Sequence, residues 1–180
     1  HPMIQRTTIA IDISKTVFAL SFSTKPGRVD RRKRLNRKKL IELLSNTEPA
    51  LILLEACGMS HFWARKAMSF GHEVRLLPPH STRPYVLRDK TDATDADGLL
   101  EASRNEQILP VPVKSPDQQA IMGLHRIRER LKGDRTARFN LLRAVLREQG
   151  ISIPVGAKHV LPRVLETLAD AESAVPIMIR

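Results

Sequence analysis

With 180 residues, 42% of them hydrophobic and 27% charged, the chain has the size and composition of one ordinary globular domain plus an appendage, which excludes disorder or coiled coil throughout. Thirty Lys and Arg against nineteen Asp and Glu leave a net charge of +11, a field suited to polyanions, so a nucleic acid is the first partner expected. The single Cys57 excludes an internal disulfide and every Cys-rich zinc module, and the longest apolar run, residues 50–54, is far short of the roughly 20 residues that span a bilayer. A cytoplasmic, nucleoid-associated protein of bacterial type with no membrane partner is the expectation. His1-Pro2 ahead of Met3 reads as the scar of a cleaved tag, and the apolar far end reads as that of a fragment.

Residues 7–13 and 17–23 are β-branched or alternating runs around Ser14-Lys15-Thr16, which predicts two antiparallel strands in a hairpin. The following residues, 25–39, read as a basic loop, and a helix is expected over about 40–45. Residues 51–54 form a continuous apolar run ending at Glu55, and residues 73–77 form another after Gly71; both fit buried strands of an α/β sheet. Between them Phe62, Trp63, Ala67 and Phe70 recur at helical spacing, with Gly71 as the stop. A further helix is expected from Thr91 or Asp92 to about Ser103. These elements predict an α/β domain over residues 4–110 and a helical region over 111–180.

Pro110, Pro112 and Pro116 predict a stiff, extended, non-helical connection. Residues 117–149 lack Pro and are rich in Leu, Arg and Ala, so one long helix is expected. Ala120, Leu124, Ile127 and Leu131 keep a 4-3-4 spacing, the pattern of a coiled-coil seam, and a polar interruption follows at Asp134 and Arg138. Residues 150–154 break the helix, and 160–171 predict another. A helix this long has more apolar stripe than a domain ending near residue 110 covers, so self-association into a homodimer or higher oligomer is expected, with a hairpin against the 160–171 helix as the alternative.

The charge is segregated. Residues 25–39 hold nine Lys or Arg against Asp30 alone, and residues 126–147 hold eight against Glu129 and Asp134. The two segments together exceed the net charge of the whole chain. Seven aromatics are too few for base-stacking platforms, so phosphate contact is expected, with a merely solvated face as the alternative. The candidate contacts are Arg31, Arg32, Lys33, Arg34, Arg37 and Lys38 in the first segment, Arg126, Arg128, Arg135 and Arg138 in the second, and Lys15 and Lys90 near the acids.

Four acids stand where a sheet-based nuclease needs them. Asp12 lies in the first strand on the face opposite Ile11 and Ile13, and Glu55 ends a buried strand, where an α/β sheet opens onto a crevice. Asp92 and Asp95, three residues apart at a helix start, share one face. Carboxylates so gathered repel one another unless a cation holds them, and Mg²⁺, with Mn²⁺ as a substitute, suits the demand. Each acid also has a structural explanation as a cap, a turn acceptor or an ion-pair partner. Asp97 and Asp89 read as solvated, His61 and His80 as structural or exposed, and Cys57 as a small buried residue beneath the site.

The blocks Ala-Ile-Asp12-Ile-Ser-Lys15, Leu-Glu55-Ala-Cys57-Gly and Lys90-Thr-Asp92-Ala-Thr-Asp95-Ala resemble, in order and spacing, the three motifs of the DEDD-type insertion-sequence transposases, the family that includes the pilin-gene DNA invertases. The likeness runs over roughly residues 6–150. It implies an α/β, RNase H-like (RuvC-like) domain followed by a long helical, coiled-coil-like arm. It further implies that Asp12, Glu55, Asp92 and Asp95 are a catalytic tetrad binding divalent metal for phosphoryl transfer on DNA. The family also has a C-terminal domain with a nucleophilic serine, and many members use a structured guide RNA. This sequence ends before such a domain, and Ser60, Ser69 and Ser81 lack a nucleophile's context. The alternatives are a stand-alone RuvC-like junction-resolving nuclease and a non-catalytic nucleic-acid-binding dimerisation module; an actin-like phosphotransferase is disfavoured by the lack of a Gly-rich phosphate loop.

Overall fold

The computed structural model describes residues 7–25, 28–86, 92–170, 173 and 175–177, with the backbone alone for Asp92 and Ala93. The chain divides into two compact units, residues 1–115 and 116–180. In the first, strands β1 (Thr8–Asp12), β2 (Val17–Ser23) and β3 (Arg31–Asn36) are followed by helix α1 (Arg37–Asn46), β4 (Leu51–Glu55), α2 (Ser60–Met68) and β5 (Glu73–Leu77). A short α3 (Pro79–Thr82) runs into a 3-10 turn at Arg83–Tyr85, and α4 (Asp92–Ala102) closes the set. The sheet order is β3-β2-β1-β4-β5. β1 and β2 pair antiparallel, as do β2 and β3, whereas β4 lies parallel to both β1 and β5. An antiparallel three-stranded meander continued by two parallel strands is the expected RNase H-like arrangement.

Both faces of this sheet are covered, so strand periodicity sorts side chains between two cores. Ile9, Ile11, Phe18, Leu20, Ile52, Leu54 and Leu76 pack with Leu40 and Leu44 of α1 and Trp63, Ala64 and Ala67 of α2. Ala10, Leu53 and Leu77 face the other way, against Leu99, Leu100 and Ala102. The first core is sealed at one edge by His72, only 4% exposed. Its Nδ1 accepts from the Ala50 amide at 3.1 Å, so the neutral ring carries its proton on Nε2 and donates to the Leu44 carbonyl at 2.8 Å. Local signals set the helix ends. The Asn36 side chain caps α1 by accepting from the Lys39 amide at 2.9 Å, and Gly71, at φ +88°, ends the turn after α2.

The basic loop expected at 25–39 is corrected in part, because residues 31–36 are the edge strand β3. Four consecutive cations hid the two-residue alternation that a sequence reading relies on. An edge strand tolerates them, since only one flank pairs and charge on it opposes edge-to-edge aggregation. Arg31 lays its guanidinium over the Phe22 ring at 4.3 Å. On the opposite face Arg32 donates to both oxygens of Asp97, from Nε at 3.2 and 3.1 Å and from a terminal nitrogen at 2.6 Å. Asp97 also accepts from the buried Ser21 hydroxyl at 2.6 Å. It is therefore no solvated surface acid. It is the polar tie that fastens α4 across β2 and β3.

The proline-rich connection is anchored to the first unit. The Val111 amide donates to the Leu76 carbonyl at 2.7 Å, and Val111 and Val113 pack on the first core. From α2, His61 Nδ1 accepts from the Lys114 amide at 3.2 Å, and Arg65 donates to the Lys114 carbonyl. The expectation that Pro116 stands outside a helix is corrected. It is the first residue of α5 (Pro116–Glu148), where its missing N–H costs nothing and its fixed φ suits the turn.

In the second unit, α5 ends at Gly150, φ +78°. The Gly150 amide bonds the Arg147 carbonyl and the Ile151 amide bonds that of Leu146, both at 2.9 Å, a closure that needs the left-handed glycine. A 3-10 turn (Ala157–His159) leads to α6 (Val160–Ala169), and Arg143 secures the return by donating to the Gly156 carbonyl at 2.9 Å. Leu146 and Val160 are buried, whereas Leu124, Ile127 and Leu131 stay 67, 58 and 62% exposed. The return helix therefore does not cover the apolar stripe. Asp134 pairs along its own helix with Arg130 at 3.1 Å.

Two outcomes check these contacts. Asp97→Ala strands the Ser21 hydroxyl and the Arg32 guanidinium, so chemical denaturation is expected to show a loss of about 2 kcal/mol, the scale of a buried hydrogen bond to a charge. Burial first, then the charges of Lys114 and Arg65, hold His61 below its ordinary value of 6.5. A lowered histidine pKa means that the fold favours the neutral ring. Its contribution is present above about 6.5 and is lost as pH falls through the lowered value. An NMR titration is expected to show His61 ionising below pH 6.5, with the Lys114 amide resonance following it.

Candidate active site

The second core stops short at the C-terminal ends of β1 and β4, and a cavity of about 590 Å³ opens there. Asp12 and Glu55 are the last residues of these two parallel neighbours, one step beyond the Ile11–Leu54 pair of the register. Each lies two residues beyond a small or apolar residue of the α4-facing core, Ala10 and Leu53 respectively, and so shares that face. Asp95 enters from the start of α4. All three carboxylates line the cavity, with Cys57, Thr82, Arg83 and Leu99 among its other walls. Asp92 begins α4, three residues before Asp95 on the same side of the helix; its side chain lies outside the described residues, as do Lys90 and Asp89.

The wall opposite the strand ends comes from the segment after β5. Thr82, 2% exposed, has its hydroxyl 3.2 Å from Glu55 Oε2 and 3.1 Å from the Pro79 carbonyl, two acceptors that share its single proton. That segment lies hard against α4 because Gly98 lets it. A Cβ at Gly98 would stand 3.0 Å from Val86 Cγ2 and 3.2 Å from the Tyr85 carbonyl oxygen. Neither Thr82 nor Arg83 carries a motif. The one available signal is position, since residues just beyond the C-terminal end of a parallel strand border the crevice of such a sheet.

Three hard oxygen donors around one open cavity suit a Mg²⁺ ion, which takes one or two carboxylates and keeps water and phosphate oxygens for its remaining positions. Among the described residues, no three His, Cys, Asp or Glu side chains stand close enough to form a metal-holding group by themselves. The cavity is also negatively charged in effect. Partial desolvation by its neighbours, then the charges of Glu55 and Asp12, push the Cys57 thiol above its ordinary value, although the residue stays open to solvent. Cys57 was expected to be buried beneath the site; it is exposed on the rim, because the chain turns outward immediately after Glu55.

The cations are distributed more widely. Lys15 is exposed in the β1–β2 turn, following the cavity residue Ile13 by two positions. Register puts Arg34 opposite Ala19, and Ala19 opposite Asp12, so Arg34 belongs to the same sheet face and row as the acids. Arg32 is committed to Asp97. Arg37 lies 5.4 Å from the Trp63 ring, Lys38 is exposed on α1, and Lys33 is partly covered. Arg126, Arg128, Arg135 and Arg138 are all exposed on α5. Leu124, Ile127, Arg128, Leu131, Lys132 and Arg135 line one shallow groove of about 350 Å³ there. His61 serves the connection and does not line the cavity, and His80 is exposed.

Residues 9–150 match the model of the IS110-type DEDD family, described as "Transposase". The chain is 37% identical over 166 residues to a "Probable family 20 transposase" of Pseudomonas aeruginosa, covering 92% of this chain and 49% of that protein. It is 35% identical over 174 residues to the "Transposase for insertion sequence element IS1328" of Yersinia enterocolitica, covering 97% and 52%. It thus spans about half the length of the curated relatives it matches. Among solved structures, the T. thermophilus RuvC in complex with Holliday junction substrate is similar at a TM-score of 0.43 and 12% identity, covering 59% of this chain and 99% of that one. With residues 9–150 of its 180 matched by the family model, the chain belongs to the IS110-type DEDD transposase family.

Proposed function

We propose that residues 4–110 form the metal-dependent catalytic domain of a DNA transposase or recombinase, followed over 111–180 by the start of a helical arm, with Asp12, Glu55, Asp92 and Asp95 as the metal-binding acids. The observation that carries this reading is the convergence of Asp12, Glu55 and Asp95 on one cavity at the open end of two parallel strands. Mg²⁺ held there would polarise a scissile phosphate and stabilise charge on the leaving oxygen. Asp12 and Glu55 supply oxygens from rigid strand ends, where the sheet's hydrogen bonds fix the backbone. Thr82 holds one Glu55 oxygen in place. Membership of a transposase family favours this reading over a stand-alone junction-resolving nuclease.

The basic surfaces supply the rest. Arg31, Lys33, Arg34, Arg37 and Lys38 about β3 and α1, Lys15 and Lys90 nearer the acids, and the α5 arginines are read as phosphate contacts for DNA and for a structured guide RNA. The uncovered stripe of Leu124, Ile127 and Leu131 is read as a coiled-coil seam between two copies, which would hold two duplexes together. The full-length protein is read as completing strand exchange with a serine from a further domain.

Calorimetric titration with Mn²⁺ tests the acids. The wild-type chain is expected to take up the ion, and Asp12→Asn and Glu55→Gln are each expected to weaken uptake at least tenfold with the fold intact by circular dichroism; no uptake by the wild type removes the reading. Sedimentation at tens of micromolar tests the arm. A dimer or larger species is expected for the wild type, and a monomer for the doubly substituted Leu124→Asp, Leu131→Asp chain.

A further inference from the structure

The cavity wall contains one cation whose presence the four acids do not explain. Arg83 follows Thr82 directly, at the start of the 3-10 turn, and lines the same cavity as Asp12, Glu55 and Asp95. Its side chain is exposed. Three carboxylates share that cavity, yet among the described residues none pairs with Arg83 in a salt bridge, whereas Arg32, at the far end of the same helix–sheet contact, is fully engaged by Asp97. An arginine in a carboxylate-lined cavity that is not consumed by those carboxylates keeps its planar fork for an anion that enters from outside. The fork matches two oxygens of a phosphate.

From this arrangement we infer that Arg83 is a phosphate-binding residue of the site, gripping a backbone phosphate of the nucleic acid beside the one at the carboxylates. The inference rests on the metal-binding reading of the acids and deepens it. Backbone placement supports it. Thr82 ties one side of the segment to Glu55, and the close approach at Gly98 ties the other to α4, so the backbone carrying Arg83 is fixed relative to Glu55. Electrostatics makes the contact conditional. Without a divalent ion, three carboxylates repel phosphate from the cavity, and Arg83 contributes only a screened, long-range attraction. With the ion bound, that repulsion is offset and the phosphate comes within reach.

The test compares Arg83→Gln with the wild-type 180-residue chain in binding a fluorescein-labelled DNA duplex, once with Ca²⁺ to hold the site without turnover and once with EDTA, alongside Mn²⁺ calorimetry. The expected result is a loss of DNA affinity of about ten- to a hundredfold in Ca²⁺, the range for a charge-assisted hydrogen bond, about twofold in EDTA, and unchanged Mn²⁺ uptake. Arg83→Lys, which keeps the charge and loses the fork, is expected to fall between the two. Equal losses with and without the ion make Arg83 an ordinary surface charge and overturn the inference. So does unchanged affinity, and so does a loss of Mn²⁺ uptake in Arg83→Gln, which makes the residue a support of the acids. Absence of Mn²⁺ uptake by the wild type removes the reading of the acids themselves, and this inference with it.

Discussion

The parallel pairing of β1 with β4 is the constraint on which the site depends. Thr8 to Ile11 lie opposite Leu51 to Leu54, so the residue that follows each run, an acid in both cases, emerges at the same height and on the same face. Side chains alternate with a period of two, and a slip of one residue would send Glu55 to the α1–α2 face while Asp12 stayed where it is. The slip is forbidden by the cores. Ile52 and Leu54 would exchange faces with Leu51 and Leu53, removing large buried side chains from a core that includes Trp63 and Phe18 and crowding them under α4. The packing of an apolar interior, worth roughly 2–5 kcal/mol for each large aliphatic residue, thereby fixes the position of two half-buried carboxylates.

The second face of the sheet is built differently for the same reason. Its core is small, with Ala10 where the other side has Ile9 and Ile11, and this lets α4 lie close enough to bring Asp95 to the strand ends. Small residues alone give little cohesion. The deficit is met at two points along the helix: a polar tie, Asp97 joined to Arg32 and Ser21, and a close packing contact, Gly98 seated against Tyr85 and Val86. The Asp97 tie holds the helix to the sheet, and the Gly98 contact holds it to the wall that carries Thr82 and Arg83. One helix therefore carries an acid of the site and the two fastenings that position it.

The second unit follows another logic. Its fold is secured at the α5–α6 end by Leu146, Val160 and the Arg143 hydrogen bonds, while the middle of α5 keeps apolar and cationic side chains together on one groove. Local ion pairs such as Arg130 with Asp134 and Lys132 with Glu129 stay within the helix. Such exposed pairs add only tenths of a kcal/mol each. Among the described residues, Arg126, Arg135 and Arg138 enter no such pair, and their charge stays on the surface of α5.

What the sequence determined by itself was everything governed by local periodicity and chemistry: the hairpin, the buried strands ending at Glu55 and Leu77, the long α5 helix, and the acidic motifs whose spacing marks the family. These are legible because a period of two or of 3.6 is written in consecutive residues. Tertiary structure alone decided that 31–36 pair as an edge strand, since hydrogen bonding to β2 overrode a run of cations with no apolar rhythm. It also decided that Asp97 is a structural anchor and that Thr82 and Arg83 border the cavity. The partners of Asp97 lie 65 and 76 residues away in sequence, and Thr82 lies 27 from Glu55. No local pattern encodes such distances; they exist only after two hydrophobic cores have closed the sheet between two layers of helices.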